Sequence, residues 1–212
     1  MPRFTLVPPI LCLVTDRTAC AGRPLDSVVA TAVAAGVRLI QLREKDLSAR
    51  ELLRIGETLL EPVREGGGLL VVNDRLDVAL ALGTDGVHLG SNSLPVKAAR
   101  RVVGDGMLIG VSVHSTEEAV RAEREGADYL VLGTIFETRS HPGTPPAGLG
   151  VVSEVTAAVK LPVVAIGGIN ATNASSVIGA GASGAAVITA IQSAQDVEAA
   201  TRTLLAAMRF NT

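Results

Sequence analysis

The chain has 212 residues, 48% of them hydrophobic and only 2% aromatic; that suits one large packed domain or two small ones, with a core of Val, Leu, Ile and Ala and few rings. Nineteen Lys and Arg stand against 21 Asp and Glu, a net charge of −2. This lacks the basic excess of a nucleic-acid binder, and so apolar a chain is not a disordered one.

The predicted elements alternate along the chain. An apolar run at 10–14 reads as a strand buried on both faces, followed by a helix at 25–35. A strand at 37–42 is followed by a helix at 48–65. There Leu52, Ile55, Leu59 and Leu60 share one face, and Ser48 before Glu51 forms a capping signal. Strands at 69–72, 86–89 and 107–113 come next, then a helix at 116–125 that starts behind Ser115. A strand at 129–132 leads into a Gly- and Pro-rich irregular segment, 134–148, of a length more typical of a functional lid than of a linker. A strand at 162–166, a helix at 171–180, a strand at 185–188 and a helix at 196–208 complete the series. Glycines at 36, 126 and 181 sit where a helix stops before the next strand. Eight strands with helices, or room for them, in between predict a single-domain α/β (β/α)8 TIM barrel over residues 1–212. An open doubly wound sheet is the rival, weakened by the lack of a GxGxxG turn after the first strand.

Cys12 and Cys20 have no metal-ligand spacing and read as small buried residues of a reducing compartment. No run approaches the ~20 apolar residues of a membrane span, and the start MPRFTLVPPI lacks a signal-peptide pattern. The expectation is a cytoplasmic protein with a small-molecule phosphate as its partner. No nucleic acid or membrane partner is expected, and a homo-oligomer is left open.

In a barrel the chemistry gathers where strands end. Gln41, Arg43 and Lys45 alternate along the second strand and so share an inward face. Two cations there call for an anionic ligand or for carboxylate neighbours such as Glu44 and Asp74. Gly167-Gly168 after the seventh strand lets backbone amides approach a phosphate, helped by the helix starts that follow the seventh and eighth strands.

The spaced set QLREK, VNDR, DGVHLG, GVSVHS, ADYLVLGTIFET, AIGGI and SGAAVITAI, from about Leu11 to Ile191, resembles the family of thiamine phosphate synthase and its TenI relatives. The resemblance implies a thiamin-biosynthesis barrel. In the synthase, diphosphate leaves a hydroxymethylpyrimidine with magnesium present, and a thiazole phosphate nitrogen attacks the pyrimidine cation. Carried over by position, Gln41, Arg43, Lys45 and Asn73 would grip the pyrimidine diphosphate, and Asp74 would bind Mg2+. His88 and Ser112 would line the pyrimidine and diphosphate region. Thr138 and Ser140 would meet the thiazole side, and Gly167, Gly168, Ile188 and Thr189 its phosphate. Where the synthase pattern after HLG has Gln, an acidic residue and a second magnesium-binding Asp, this chain has Ser91-Asn92-Ser93. His141 replaces the lysine that ends the synthase lid. The segment 90–97 and the phrase Ile135-Phe136-Glu137-Thr138 resemble TenI. The leading expectation is therefore a TenI-like isomerase, a tautomerase of a thiazole carboxylate phosphate. Its family histidine is replaced by Thr134, which leaves His114 or His141 to carry the proton. The alternatives are a thiamine phosphate synthase and a non-catalytic binder of thiamin-pathway phosphates.

Overall fold

The eight apolar runs pair side by side in chain order, all parallel, and the last returns to the first. The computed structural model describes residues 6–138, 143 and 145–209. It is a closed barrel of β1 (Ile10–Val14), β2 (Leu39–Leu42), β3 (Leu69–Asn73), β4 (Gly86–Leu89), β5 (Leu108–Val113), β6 (Tyr129–Leu132), β7 (Val163–Ile166) and β8 (Gly184–Val187). Around it lie α1 (Leu25–Ala34), α2 (Ala49–Glu65), α3 (Leu76–Leu82), α4 (Val96–Val103), α5 (Thr116–Glu125), α6 (Gly148–Ala158), α7 (Ala174–Gly179), the single turn α8 (Thr189–Gln192) and α9 (Val197–Ala207). This is the (β/α)8 barrel expected. No helix among the described residues is long and apolar enough to cross a membrane.

Period-two alternation makes two cores out of runs that are apolar throughout. Ile10, Cys12, Val14, Leu39, Val71, Tyr129, Val131, Val164 and Ala186 fill the barrel interior. Their neighbours, among them Leu11, Leu13, Ile40, Leu42, Leu70 and Val72, pack outward against the helices. Both cysteines are buried and free, and burial pushes the Cys12 thiol up to about 12.

Helix starts follow local chemistry. Ser48 and Glu51 form a full capping box on α2, Ser115 accepts from the Glu118 amide at 3.3 Å on α5, and Asp196 accepts from Ala199 N at 2.9 Å on α9. Each such cap contributes about 1 kcal/mol. Gly36, Gly126 and Gly181 take positive φ at the helix stops. One boundary differs from expectation by more than two residues. The helix expected from 171 starts at Ala174, because Asn173 Oδ1 accepts from Asn170 N and Asn170 Oδ1 accepts from Thr172 N, each at 2.9 Å. Those side-chain turns compete with the first helical turn. The phosphate position after β7 therefore has no helix start directly behind it.

The irregular segment after β6 is closed at its base. Ala147 N donates to Thr134 O at 2.8 Å and Gly148 N to Ile135 O at 3.0 Å.

Candidate active site

A cavity of about 650 Å3 opens where the strands end. Its floor is partly apolar, formed by Val14, Val131, Ile166 and Ala186. Its walls carry nearly every residue expected from the sequence.

The β2 wall brings Gln41, Arg43 and Lys45 to the cavity together. Gln41 is buried and Arg43 half-buried, and Lys45 is exposed. Fully buried Thr15 holds this stretch in place: its amide donates to Gln41 O and its hydroxyl accepts from Arg43 N, both at 2.9 Å. Burial lowers the Arg43 pKa against the raising effect of Asp16 and Glu44. Lys45 is lowered first by the Arg43 charge and then by burial, against the opposing pull of Asp74. Each cation is thus under-neutralised by protein groups, and an anion in the cavity would relieve both.

Glu44 departs from its expected place beside these cations. It lies away from the cavity, just past β2, where both carboxylate oxygens accept from Arg17 N at 3.1 Å and one accepts from the guanidinium at 3.0 Å. Arg17 also donates to Asp46 at 2.7 Å, which ties the loop after β1 to the loop after β2.

Asp74 follows β3 with φ 64 and lines the cavity exposed, its amide donating to His88 O at 2.8 Å. Asn73 lies beside it. His88 is buried within the barrel, its Nε2 2.9 Å from Ser112 Oγ and its Nδ1 3.3 Å from the Tyr129 hydroxyl. Burial, with a smaller contribution from the Arg43 charge, lowers its pKa to about 3, so the ring is neutral at physiological pH. Across the β4 loop, Gly90 N donates to Ser93 Oγ at 2.8 Å, and Ser91 and Asn92 face the same cavity.

On the far side stand Thr134, Glu137, Thr138, Gly167, Gly168, Ile188 and Thr189. Gly167 and Gly168 have φ of 106 and 64. A Cβ on Gly168 would run into the Glu137 carbonyl, so only glycine permits this approach of the two loops. Among the described residues, the amides of Gly168 and Thr189 meet no protein acceptor. His114 reaches the rim and is paired there with Glu118, whose carboxylate lies 3.3 Å from Nδ1 and accepts from the His114 amide at 2.7 Å. Ser140 and His141 lie outside the described residues.

Thr15 and Arg17, at the end of the first strand, and Glu137, after the sixth, are read from the sequence only as strand-end residues without a role, and Tyr129 is given none. Tyr129 shares an inward face with Val131 in an apolar run and so reads as interior filling. Arg17 carries no signal of its role, because its partners are 27 and 29 residues away.

A closed parallel barrel with its polar residues gathered at the strand ends is the architecture of the (β/α)8 enzymes. The family model described as thiamine monophosphate synthase, TMP-TENI, matches residues 11–191, and the chain belongs to that family. A thiamine-phosphate synthase of Methanoculleus marisnigri is 51% identical over 195 residues, 92% of each chain. One of Roseiflexus sp. is 48% identical over 196 residues, 92% of this chain and 83% of its own. Among solved structures, thiamine phosphate pyrophosphorylase from Pyrococcus furiosus superposes with a TM-score of 0.86 at 41% identity, covering 94% of this chain and 95% of that one.

These relatives correct the isomerase expectation. Proteins named as synthases match nearly the whole barrel at about half identity, whereas the TenI reading leaned on short segments of two loops. The site agrees with the correction. Thr134 has no group that titrates near neutrality, and His114 is engaged with Glu118 at the rim. The proton-carrier roles of Thr134, His114 and His141 are tied to that isomerisation and are not taken further.

Proposed function

We propose that the chain is a thiamine-phosphate synthase, joining a hydroxymethylpyrimidine diphosphate to a thiazole phosphate with release of diphosphate. The observation that carries this is the pair of anion-seeking walls in one cavity. Arg43 and Lys45, with Asp74, stand on one side, and the Gly168 and Thr189 amides stand on the other. A tautomerase or binder of one phosphate needs only the second wall. A reaction between a diphosphate and a monophosphate needs both.

The residues present fit magnesium. Among the described residues, no three His, Cys, Asp or Glu side chains gather to hold a metal by themselves. Ser93 is occupied with the Gly90 amide. Mg2+ is commonly held by one or two carboxylates together with substrate phosphate oxygens and water. Asp74, with Asn73 lining the same cavity, would supply that protein share. The ion's contribution when bound is neutralisation of charge on the departing diphosphate.

The chain's own residues do the remainder. Arg43 and Lys45 grip the diphosphate and stabilise the charge that grows on it as the bond to carbon breaks. Gln41 and Asn73 add directional hydrogen bonds on the same wall. The floor of Val14, Val131, Ile166 and Ala186 keeps water from the pyrimidine cation until the thiazole nitrogen attacks. The Gly168 and Thr189 amides, with Gly167 and Ile188 shaping the backbone, seat the thiazole phosphate. Thr138 lines the cavity on the same side.

The test is to mix purified protein with both substrates and Mg2+ and to measure thiamin phosphate by mass spectrometry. Turnover that stops with a chelator and falls at least ~100-fold in Arg43→Ala is expected. No product at any magnesium concentration would refute the reading.

A further inference from the structure

One lateral row of the barrel places His88, Gly110 and Tyr129 on neighbouring strands: His88 pairs with Gly110 across β4 and β5, and Gly110 with Tyr129 across β5 and β6. A Cβ on Gly110 would overlap the Tyr129 ring. The missing side chain is what lets the phenol lie across β5 and reach His88. Ser112 is two residues further along β5, on the same face and at the cavity wall. The three polar groups make a chain from the dry interior to the ligand space. Tyr129 hydroxyl to His88 Nδ1 is 3.3 Å, and His88 Nε2 to Ser112 Oγ is 2.9 Å.

We propose that Tyr129 is a positioning residue that sets the tautomer of His88 and thereby makes Ser112 a hydrogen-bond donor to the ligand; this rests on the synthase reading above. Among the described residues, the Tyr129 hydroxyl has one hydrogen-bond partner, the His88 ring. A phenol whose single partner is a ring nitrogen satisfies its hydrogen only by donating it. That makes Nδ1 the acceptor and puts the ring proton on Nε2, aimed at Ser112 Oγ. The serine oxygen is then an acceptor within the protein, and its own hydrogen turns to the cavity. The opposite tautomer would strand the phenol hydrogen in a fully buried place, at the cost of an unmade hydrogen bond, and would spend the serine hydrogen on His88. Burial raises the Tyr129 pKa and lowers that of His88, so both partners stay neutral and the relay keeps one polarity.

The experiment is nitrogen NMR on the full chain with labelled histidine, a small set because the chain has only three. It is run on the wild type and Tyr129→Phe and joined to steady-state kinetics with both substrates. The wild type is expected to show neutral His88 protonated at Nε2 between about pH 5 and 8. Tyr129→Phe is expected to shift the ring towards the other tautomer. It should lower kcat about tenfold while leaving KM for the thiazole phosphate within about twofold. Ser112→Ala should lower kcat similarly, and the double variant should lose little more than either single one. A wild-type ring protonated at Nδ1 overturns the proposal, even if Tyr129→Phe fails to fold. So does Tyr129→Phe with an unaltered tautomer or an unaltered kcat. Should the wild type make no thiamin phosphate, the synthase reading falls on its own, and the nitrogen spectra still decide whether Tyr129 sets the ring.

Discussion

Acid should unfold this barrel through one ring that the fold keeps dry. His88 is 2% exposed and its pKa is lowered from 6.5 to about 3, chiefly by burial. The unfolded chain therefore takes up the proton first as pH falls. Stability associated with this group is intact above about pH 6.5 and is lost progressively towards pH 3. Between pH 7 and pH 4 the unfolded ring gains about 2.4 log units of protonation free energy over the folded one, or about 3 kcal/mol. For a domain with an ordinary stability of ~5–15 kcal/mol that is a large share. The assay is urea unfolding at pH 7 and pH 4, for the wild type and for His88→Gln. Asp46, held down to about 2 by Arg17, and Asp77, lowered by Arg75, also lose stability on acidification. They do so in both proteins and cancel in the difference. The wild type should lose about 3 kcal/mol more than the variant. A difference below ~1 kcal/mol would show that the ring is hydrated or already protonated in the fold, and the reasoning from burial would fail.

Lys45 has a lowered pKa with Arg43 as the first cause, so kcat/KM for the diphosphate substrate should fall on the alkaline side before the usual lysine range of 10.5. Lys45→Arg should move that limb upward, and an identical pH profile would count against the coupling. Gly168→Ala should cost about 1–2 kcal/mol for its left-handed backbone. Because the Glu137 carbonyl blocks its Cβ, it should also raise KM for the thiazole phosphate at least tenfold, measured beside a melting curve. Ser93→Asp can still accept from Gly90 N and adds a second carboxylate to the cavity wall. It should lower the magnesium concentration for half-maximal rate about tenfold, or ~1.4 kcal/mol, and no change would place Ser93 away from the ion.

The barrel was largely legible because its strands are continuous apolar runs set between helix stops. Most predicted bounds came within two residues of those seen. Besides the single turn α8, three helices went unassigned for definite reasons. α3 reads LDVALAL, apolar enough to pass for a strand edge, α4 is only eight residues long, and α6 opens with two glycines that resemble a loop. In the site, alternation alone located Gln41, Arg43 and Lys45. It could not say what Glu44 would meet, since that depends on a loop 27 residues earlier. Tyr129 was hidden because an aromatic in an apolar run reads as filling. Its polar end matters only through His88, 41 residues away. The isomerase expectation weighed Ser91-Asn92-Ser93 too heavily. Those positions change how many carboxylates face the cavity, while the two anion-seeking walls are made elsewhere.

The opposed directions of Glu44 and its two cationic neighbours bear on how this family's loops can vary. Deleting one residue between Gln41 and Thr15's partner Arg43 would reverse the parity of everything beyond it. The carboxylate would swing into the mouth and the cations would be driven among the helices, with Arg17 facing like charge. Length is therefore constrained at this strand end more tightly than residue type, and drift there should proceed by substitution, with insertions and deletions confined to the stretch past Asp46.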